Sequence, residues 1–223
     1  MTAPIHSEFV EAYGNEALRT IAAVIAWAHV RAVTTGQEQY GAVGEERCGV
    51  LRWLQIDADL IKLKGRFPNI DISWVDNDCG KHIEIAAGKF RLLVAHDRNP
   101  GAVVPASIYG KTLAQTNTLS LFQELEDPQT THGKHYYAVL FHSKSDQKGH
   151  VPDYLEIRFP AGGNSASEPY AERHLRLYVL FPELAKEEWL LNESSTWATA
   201  VRAKEETIQE NAIPKLRQAG KAS

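Results

Sequence analysis

The sequence has few cysteines and no excess of positive charge. Among its 223 residues only Cys48 and Cys79 are cysteines, and its formal net charge is −4. Two cysteines form one bridge at most, which excludes a secreted scaffold held by several disulfides. A negative net charge is unlike that of a protein coated in positive charge for unspecific nucleic-acid binding. Hydrophobic residues, at 43%, instead indicate a globular protein with a sizeable core.

Targeting signals and long apolar runs are also missing. The N-terminal residues include acids and lack the basic region that precedes the apolar core of a signal peptide. The longest apolar stretch, 21–33, is interrupted by His29 and Arg31 and is shorter than the roughly 20 residues that span a bilayer. We therefore expect a cytoplasmic protein with no membrane association.

Common catalytic and metal-binding motifs are absent from the sequence. It has no G-x-S-x-G elbow, no H-E-x-x-H, no P-loop and no glycine-rich dinucleotide fingerprint. The pairs Cys79/His82 and His132/His135 have a ligand-like spacing, but neither has a second pair at a conventional distance. The cysteines and histidines therefore predict no zinc site.

The central stretch, 81–98, predicts a β-hairpin. Its sequence KHIEIAAGKFRLLVAHDR alternates apolar and polar residues on both sides of Ala87 and Gly88. Ile83 and Ile85 share one face of the first strand. Alternation with a glycine at the join is typical of a half-buried antiparallel hairpin.

Two helices are expected before this hairpin. Ser7 is a favourable N-cap for a long helix to residue 33, whose second half is apolar nearly all round and is therefore expected to be buried. Three glycines in 34–46 predict a loop, and apolar residues at three- and four-residue steps predict a second helix over 45–63.

The remaining patterns predict further strands and two more helices. Strands are expected over 70–75, 135–144, 154–159 and 174–179, the second of them in the sheet interior because both of its faces are apolar. Helices are expected over 107–125 and 193–218. The order of elements predicts an α+β domain over 1–192 and a C-terminal helical arm over 193–223. The sheet should be antiparallel or mixed, with about six strands and helices on one face. Its other face would carry the charged residues Asp71, Glu84, Lys89 or Arg91, Glu156, Arg158 and Arg176.

An acidic cluster suggests a divalent metal site. Asp71, Asp76, Asp78 and Glu84 lie close together in the sequence, with His82 between them. A metal ion that activates water for phosphodiester cleavage needs two or three such ligands. The order of one helix, three strands, a helix and a strand also resembles the core of the PD-(D/E)XK nucleases, which implies a divalent metal cofactor.

The nuclease motif itself is not matched. Glu84 and Lys89 are five residues apart, which places them on opposite strand faces, and Arg158 stands where Glu156 would need a lysine partner. Asp76 and Asp78 are also frequent turn formers, and this is the favoured interpretation.

A linear motif remains. Thr118 to Phe122 read TLSLF, and Leu119, Leu121 and Phe122 resemble the apolar residues of the bacterial sliding-clamp-binding peptide, which usually begins with glutamine. In the alternative interpretation Phe122 belongs to the buried face of the helix over 107–125. The resemblance implies that the clamp is a protein partner.

These patterns favour a non-enzymatic binding or regulatory module that acts through protein contacts near the replication clamp and needs no cofactor. The alternative is a metal-dependent nuclease or phosphodiesterase that uses Asp71, Asp76, Asp78 and Glu84.

Overall fold

A computed structural model describes residues 4–40, 44–77, 80–97, 135–143, 150–159 and 174–192. The chain divides into two compact units, Met1–Glu187 and Glu188–Ser223, and the architecture below is that of the first. The expected helix over 107–125, with Leu119, Leu121 and Phe122, lies outside the described residues, as does the expected arm over 193–223.

Three helices precede the sheet. They are α1 (Pro4–Tyr13), α2 (Asn15–Tyr40) and α3 (Gly44–Ile61). The prediction of one helix that begins at Ser7 is wrong, because Gly14 adopts a φ of 76° and separates α1 from α2. The predicted loop over 34–46 is also wrong at its two described ends, because α2 continues through Gly36 to Tyr40 and α3 begins at Gly44.

In the part of the chain that the structure describes, six strands form one mixed sheet. They are β1 (Ile70–Asn77), β2 (Gly80–Ala87), β3 (Phe90–His96), β4 (Tyr136–His142), β5 (Leu155–Arg158) and β6 (His174–Arg176). They lie side by side in chain order, and every neighbouring pair is antiparallel except β3 and β4, which are parallel. The α+β class, the strand number and the interior position of β4 are confirmed. The last predicted strand is shorter than expected, because Leu177–Leu180 forms a short helix, α4.

Helices cover the apolar face of the sheet. The Tyr13 hydroxyl donates a hydrogen bond of 2.6 Å to the Ile85 carbonyl of β2, and the Phe9 and Phe90 rings meet edge to face with centroids 5.2 Å apart. Asn15–Gly36 is long and apolar enough to cross a membrane, but 72% of its most apolar window is buried inside this protein. The expectation that this helix is a central packing element is confirmed.

The opposite face of the sheet is exposed to solvent at β1 and buried at β4 and β5. On β1 the Asp71 side chain is 65% exposed, whereas Val139 on β4 and Arg158 on β5 are each only 1% exposed. The register pairs Val139 with Arg158, so both side chains lie on the face that carries Asp71 and Glu84. On this face the buried charged side chains of β5 are therefore Glu156 and Arg158.

Candidate functional site

The acids of the predicted metal site do not share one face. Because side chains alternate along a strand, Asp71 and Asp76 lie on opposite faces of β1. Asp76 is exposed, and Asp71 lies 4.0 Å from the Lys64 ammonium group. Asp78 lies outside the described residues. Of the four predicted metal ligands, the described geometry therefore places only Asp71 and Glu84 on one face of the sheet.

Glu84 lies in a half-buried polar cluster with a basic neighbour. Its carboxylate is 3.5 Å from Nε of Arg91, whose Nη2 lies 3.4 Å from Nε2 of His135. Burial raises the pKa of Glu84, although Arg91 acts in the opposite direction. Within the described ranges no group of three or more His, Cys, Asp or Glu side chains is arranged to hold a metal ion. The cluster around Glu84 thus does not fit the metal that the nuclease resemblance implies.

A network of buried charges joins β3 to β5. Nη2 of Arg158 lies 2.8 Å from Oδ2 of Asp97, and these side chains are 2% and 1% exposed. The Tyr154 hydroxyl donates a hydrogen bond of 2.6 Å to the same aspartate oxygen. Arg158 also donates to Glu156, at 3.0 Å, and its guanidinium lies 4.4 Å from the centroid of the Phe141 ring. Every charge in this network has a partner, which is the condition for placing charges inside a protein.

The network lies at the carboxyl ends of the two parallel strands. Asp97 directly follows β3, and Ser143 directly follows β4. The Asp97 amide donates to the His142 carbonyl, and the Ser143 hydroxyl accepts a hydrogen bond from the Tyr154 amide. Ligands of open sheets often bind at such strand ends. Here the charges of Asp97, Glu156 and Arg158 are buried and mutually compensated, so the arrangement holds the strand ends together.

One part of this network can be predicted from local sequence patterns, and the other part cannot. Alternation along β5 predicts that Glu156 and Arg158 share a face, as the structure has them. The partners Tyr154 and Asp97 are 57 residues apart, and no local pattern relates them. Sequence reasoning therefore missed Asp97, whereas alternation along 154–159 places Tyr154 on the face of Glu156 and Arg158.

Three histidines meet beneath α2 at the same sheet edge. Nε2 of His29 lies 2.9 Å from Nδ1 of His142, and the His96 and His142 ring centroids are 5.2 Å apart. Burial lowers the pKa of His29 to about 2 and that of His142 to about 3, with neighbouring histidines and Arg52 adding to both shifts. The His29 and His142 rings are therefore neutral at physiological pH, so that one nitrogen of their contact donates the hydrogen bond and the other accepts it.

The middle of α3 presents a different kind of surface. Val50, Trp53 and Leu54 are 63%, 54% and 51% exposed, and their spacing places them on one side of the helix. We call these three residues the α3 stripe. Further along α3, Ile56 and Leu60 are buried against the rest of the unit. The helix thus buries apolar side chains towards its C-terminal end and leaves three others open to solvent near its middle.

Comparisons with protein-family models, with curated proteins and with solved structures find no match to this chain.

Proposed function

We propose that the protein is a non-enzymatic binding module that contacts a partner protein through the α3 stripe. The observation that carries the proposal is the clustering of three large apolar side chains, each more than half exposed, on one side of one helix. Single exposed apolar residues are ordinary on protein surfaces, whereas contiguous ones are typical of interaction sites.

The spacing of the α3 stripe indicates the shape of its partner. Positions i, i+3 and i+4 are those that an amphipathic helix uses to enter an apolar groove of another protein. Trp53 is the expected anchor, because tryptophan is enriched among the residues that dominate binding energy. The complementary surface is therefore an apolar groove.

A pair of tryptophan variants tests the α3 stripe. Trp53 and Trp74 are similarly exposed, at 54% and 49%, but lie on α3 and β1. Trp53→Lys should abolish capture of the partner by the immobilised full-length protein from a lysate of the source organism, whereas Trp74→Lys should retain it. Equal capture by Trp53→Lys and the wild type would contradict the proposal.

The bacterial sliding clamp is the first partner to test by itself. Binding of purified clamp by the full-length protein is expected in the micromolar range, and a Kd weaker than about 50 μM would remove the clamp from consideration. The variants Phe122→Ala and Trp53→Lys then distinguish between two sites through which this chain could contact the clamp. Loss of clamp binding in Phe122→Ala alone assigns the contact to the linear motif, and loss in Trp53→Lys alone assigns it to the α3 stripe.

A cleavage assay separates this proposal from the nuclease alternative. Incubation with Mg²⁺ or Mn²⁺ and with single- or double-stranded DNA or RNA should leave the nucleic acid intact. Metal-dependent cleavage that disappears in Glu84→Ala or Asp71→Ala would favour the alternative and would count against a non-enzymatic module.

A further inference from the structure

A largely buried carboxyl group lies at the C-terminal end of the α3 stripe. Asp57 follows Trp53 by four residues and Val50 by seven, so helical periodicity places it on the side of α3 that carries the stripe. Asp57 is only 7% exposed, whereas Trp53, one turn earlier, is 54% exposed. The apolar surface of the stripe therefore leads along the helix to an acid that is largely removed from water.

The charge of Asp57 is not compensated within the part of the chain that the structure describes. Asp57 makes no hydrogen bond or ion pair there, and burial alone raises its pKa to about 6. Asp59, on the opposite side of the same helix, is instead paired with Arg31 and Lys62. A carboxylate that loses water and gains no partner lowers the stability of the folded protein. Asp57 is therefore an acid for which the free protein supplies no counter-charge among its described residues.

The carboxylate of Asp57 nevertheless keeps some contact with solvent. Among the described residues, the fully buried side-chain atoms that lack a hydrogen-bond partner do not include its oxygens, although the residue as a whole is buried. A group of another molecule can therefore reach these oxygens from the surface. The buried acids Asp97 and Glu156 differ in this respect, because Arg158 compensates both of them within the chain.

We infer that the partner protein bound by the α3 stripe carries a cationic side chain, an arginine or a lysine, that pairs with Asp57. The inference rests on the proposed function and adds the chemistry of one end of the partner's groove, which is apolar opposite the stripe and basic beyond Trp53. Side chains four residues apart on a helix are neighbours, so a cation at Asp57 also lies close to the indole of Trp53, whose ring face attracts cations. A charge pair from which the interface excludes water favours partners that bring the cation over partners that do not.

Two synthetic peptides with capped ends serve as probes of this chemistry. One has the sequence leucine–leucine–arginine–leucine–leucine, and the other replaces the arginine with citrulline, which has nearly the same shape and no charge. NMR of the isotope-labelled full-length protein follows the indole N–H signal of Trp53, which is identified by its absence from Trp53→Phe. At pH 8, where Asp57 is charged, the arginine peptide should bind at least tenfold more tightly than the citrulline peptide.

Two variants of α3 assign this preference to one carboxyl group. Asp57→Asn should remove the preference, so that both peptides bind alike, whereas Asp59→Asn is the matched control and should keep it. Equal binding of the two peptides by the wild type, or an arginine preference that survives in Asp57→Asn, would overturn the inference and leave the proposed function standing. If neither peptide shifts the Trp53 signal of the wild type, both the inference and the proposed function are overturned. Circular dichroism identifies a variant that fails to fold, and the comparison of the two peptides on the wild type is decisive without it.

Discussion

Arg158 and Asp97 form a buried ion pair in which Nη2 of the arginine lies 2.8 Å from Oδ2 of the aspartate. The pair connects β5 to the end of β3, across the intervening strand β4. Both side chains are almost fully removed from solvent, and the Tyr154 hydroxyl donates a hydrogen bond to the same aspartate oxygen. The pair is therefore sensitive to the loss of either member.

Arg158→Leu should destabilise the protein strongly. Removal of one member of a buried pair leaves an uncompensated charge and costs about 3–5 kcal/mol. The control is Arg19→Ala, which removes a 2.7 Å ion pair with Glu183 whose side chains are 48% and 28% exposed. Such surface pairs contribute roughly 0–1 kcal/mol. Urea denaturation measures both free energies of unfolding, and similar values for the two variants would contradict the assignment.

The stability of the protein should fall as the pH drops below about 6.5, the ordinary pKa of histidine. Folding lowers the pKa of His29 to about 2 and that of His142 to about 3. At acidic pH the unfolded chain therefore binds protons at these two histidines that the folded chain does not bind. Each of these two histidines lowers the free energy of unfolding by about 1.4 kcal/mol per pH unit below 6.5. Asp57, whose pKa burial raises to about 6, acts in the opposite direction and offsets part of this loss.

Urea denaturation at pH 8, 6 and 5 measures this dependence. His142→Gln should reduce the slope. A stability that does not change between pH 8 and pH 5 would show that the buried rings are not held neutral.

Asp57→Asn should stabilise the protein at pH 8. Burial raises the pKa of this carboxyl to about 6, so its charged form is destabilised by folding. A shift of that size corresponds to a gain of about 2–3 kcal/mol in the free energy of unfolding of the variant at pH 8. The gain should vanish near pH 4, because the acid is then neutral in the folded state. Asp59→Asn on the same helix should instead destabilise, because it removes ion pairs with Arg31 and Lys62. Stabilisation by Asp59→Asn, or none by Asp57→Asn, would contradict this account.

Two glycine variants should have opposite effects on the free energy of unfolding. An added Cβ meets nothing within 4 Å at Gly14 or Gly49, so the backbone alone decides each outcome. Gly14 has a φ of 76°, and Gly14→Ala should cost about 1–2 kcal/mol. Gly49 lies inside α3 and has no positive φ, so Gly49→Ala should stabilise by up to about 1 kcal/mol. Thermal unfolding compares the two variants directly.

Strand patterns were the most informative part of the sequence. Alternation of Ile83 and Ile85 with polar neighbours predicted β2 because one face of that strand is buried and the other is half-open. The apolar residues on both faces of 135–144 predicted the interior strand β4. The same alternation failed at 177–180, where α4 replaces the end of the predicted strand. Leu177 is buried in that helix, and it would also be buried in a strand, so its apolar character does not distinguish the two structures.

The helix boundaries and the buried polar groups were harder to predict. Gly14 ends α1 through a positive φ, whereas Gly36 lies within α2, and composition alone does not distinguish the two cases. Contacts such as His29 with His142 join residues 113 positions apart, and they exist only once the sheet and α2 have assembled. The exposure of Trp53 is likewise a tertiary property, since its apolar spacing along α3 is also that of a buried helix.

Site-specific photocrosslinking from the α3 stripe tests the central claim most directly. A photoreactive amino acid replaces Trp53 in one full-length variant and Trp74 in another, and each is irradiated in a lysate of the source organism. The account predicts one dominant cross-linked protein from position 53, identified by mass spectrometry, that is absent from position 74. No cross-link from position 53, or the same product from both positions, would contradict the claim that the α3 stripe is the surface through which the protein acts.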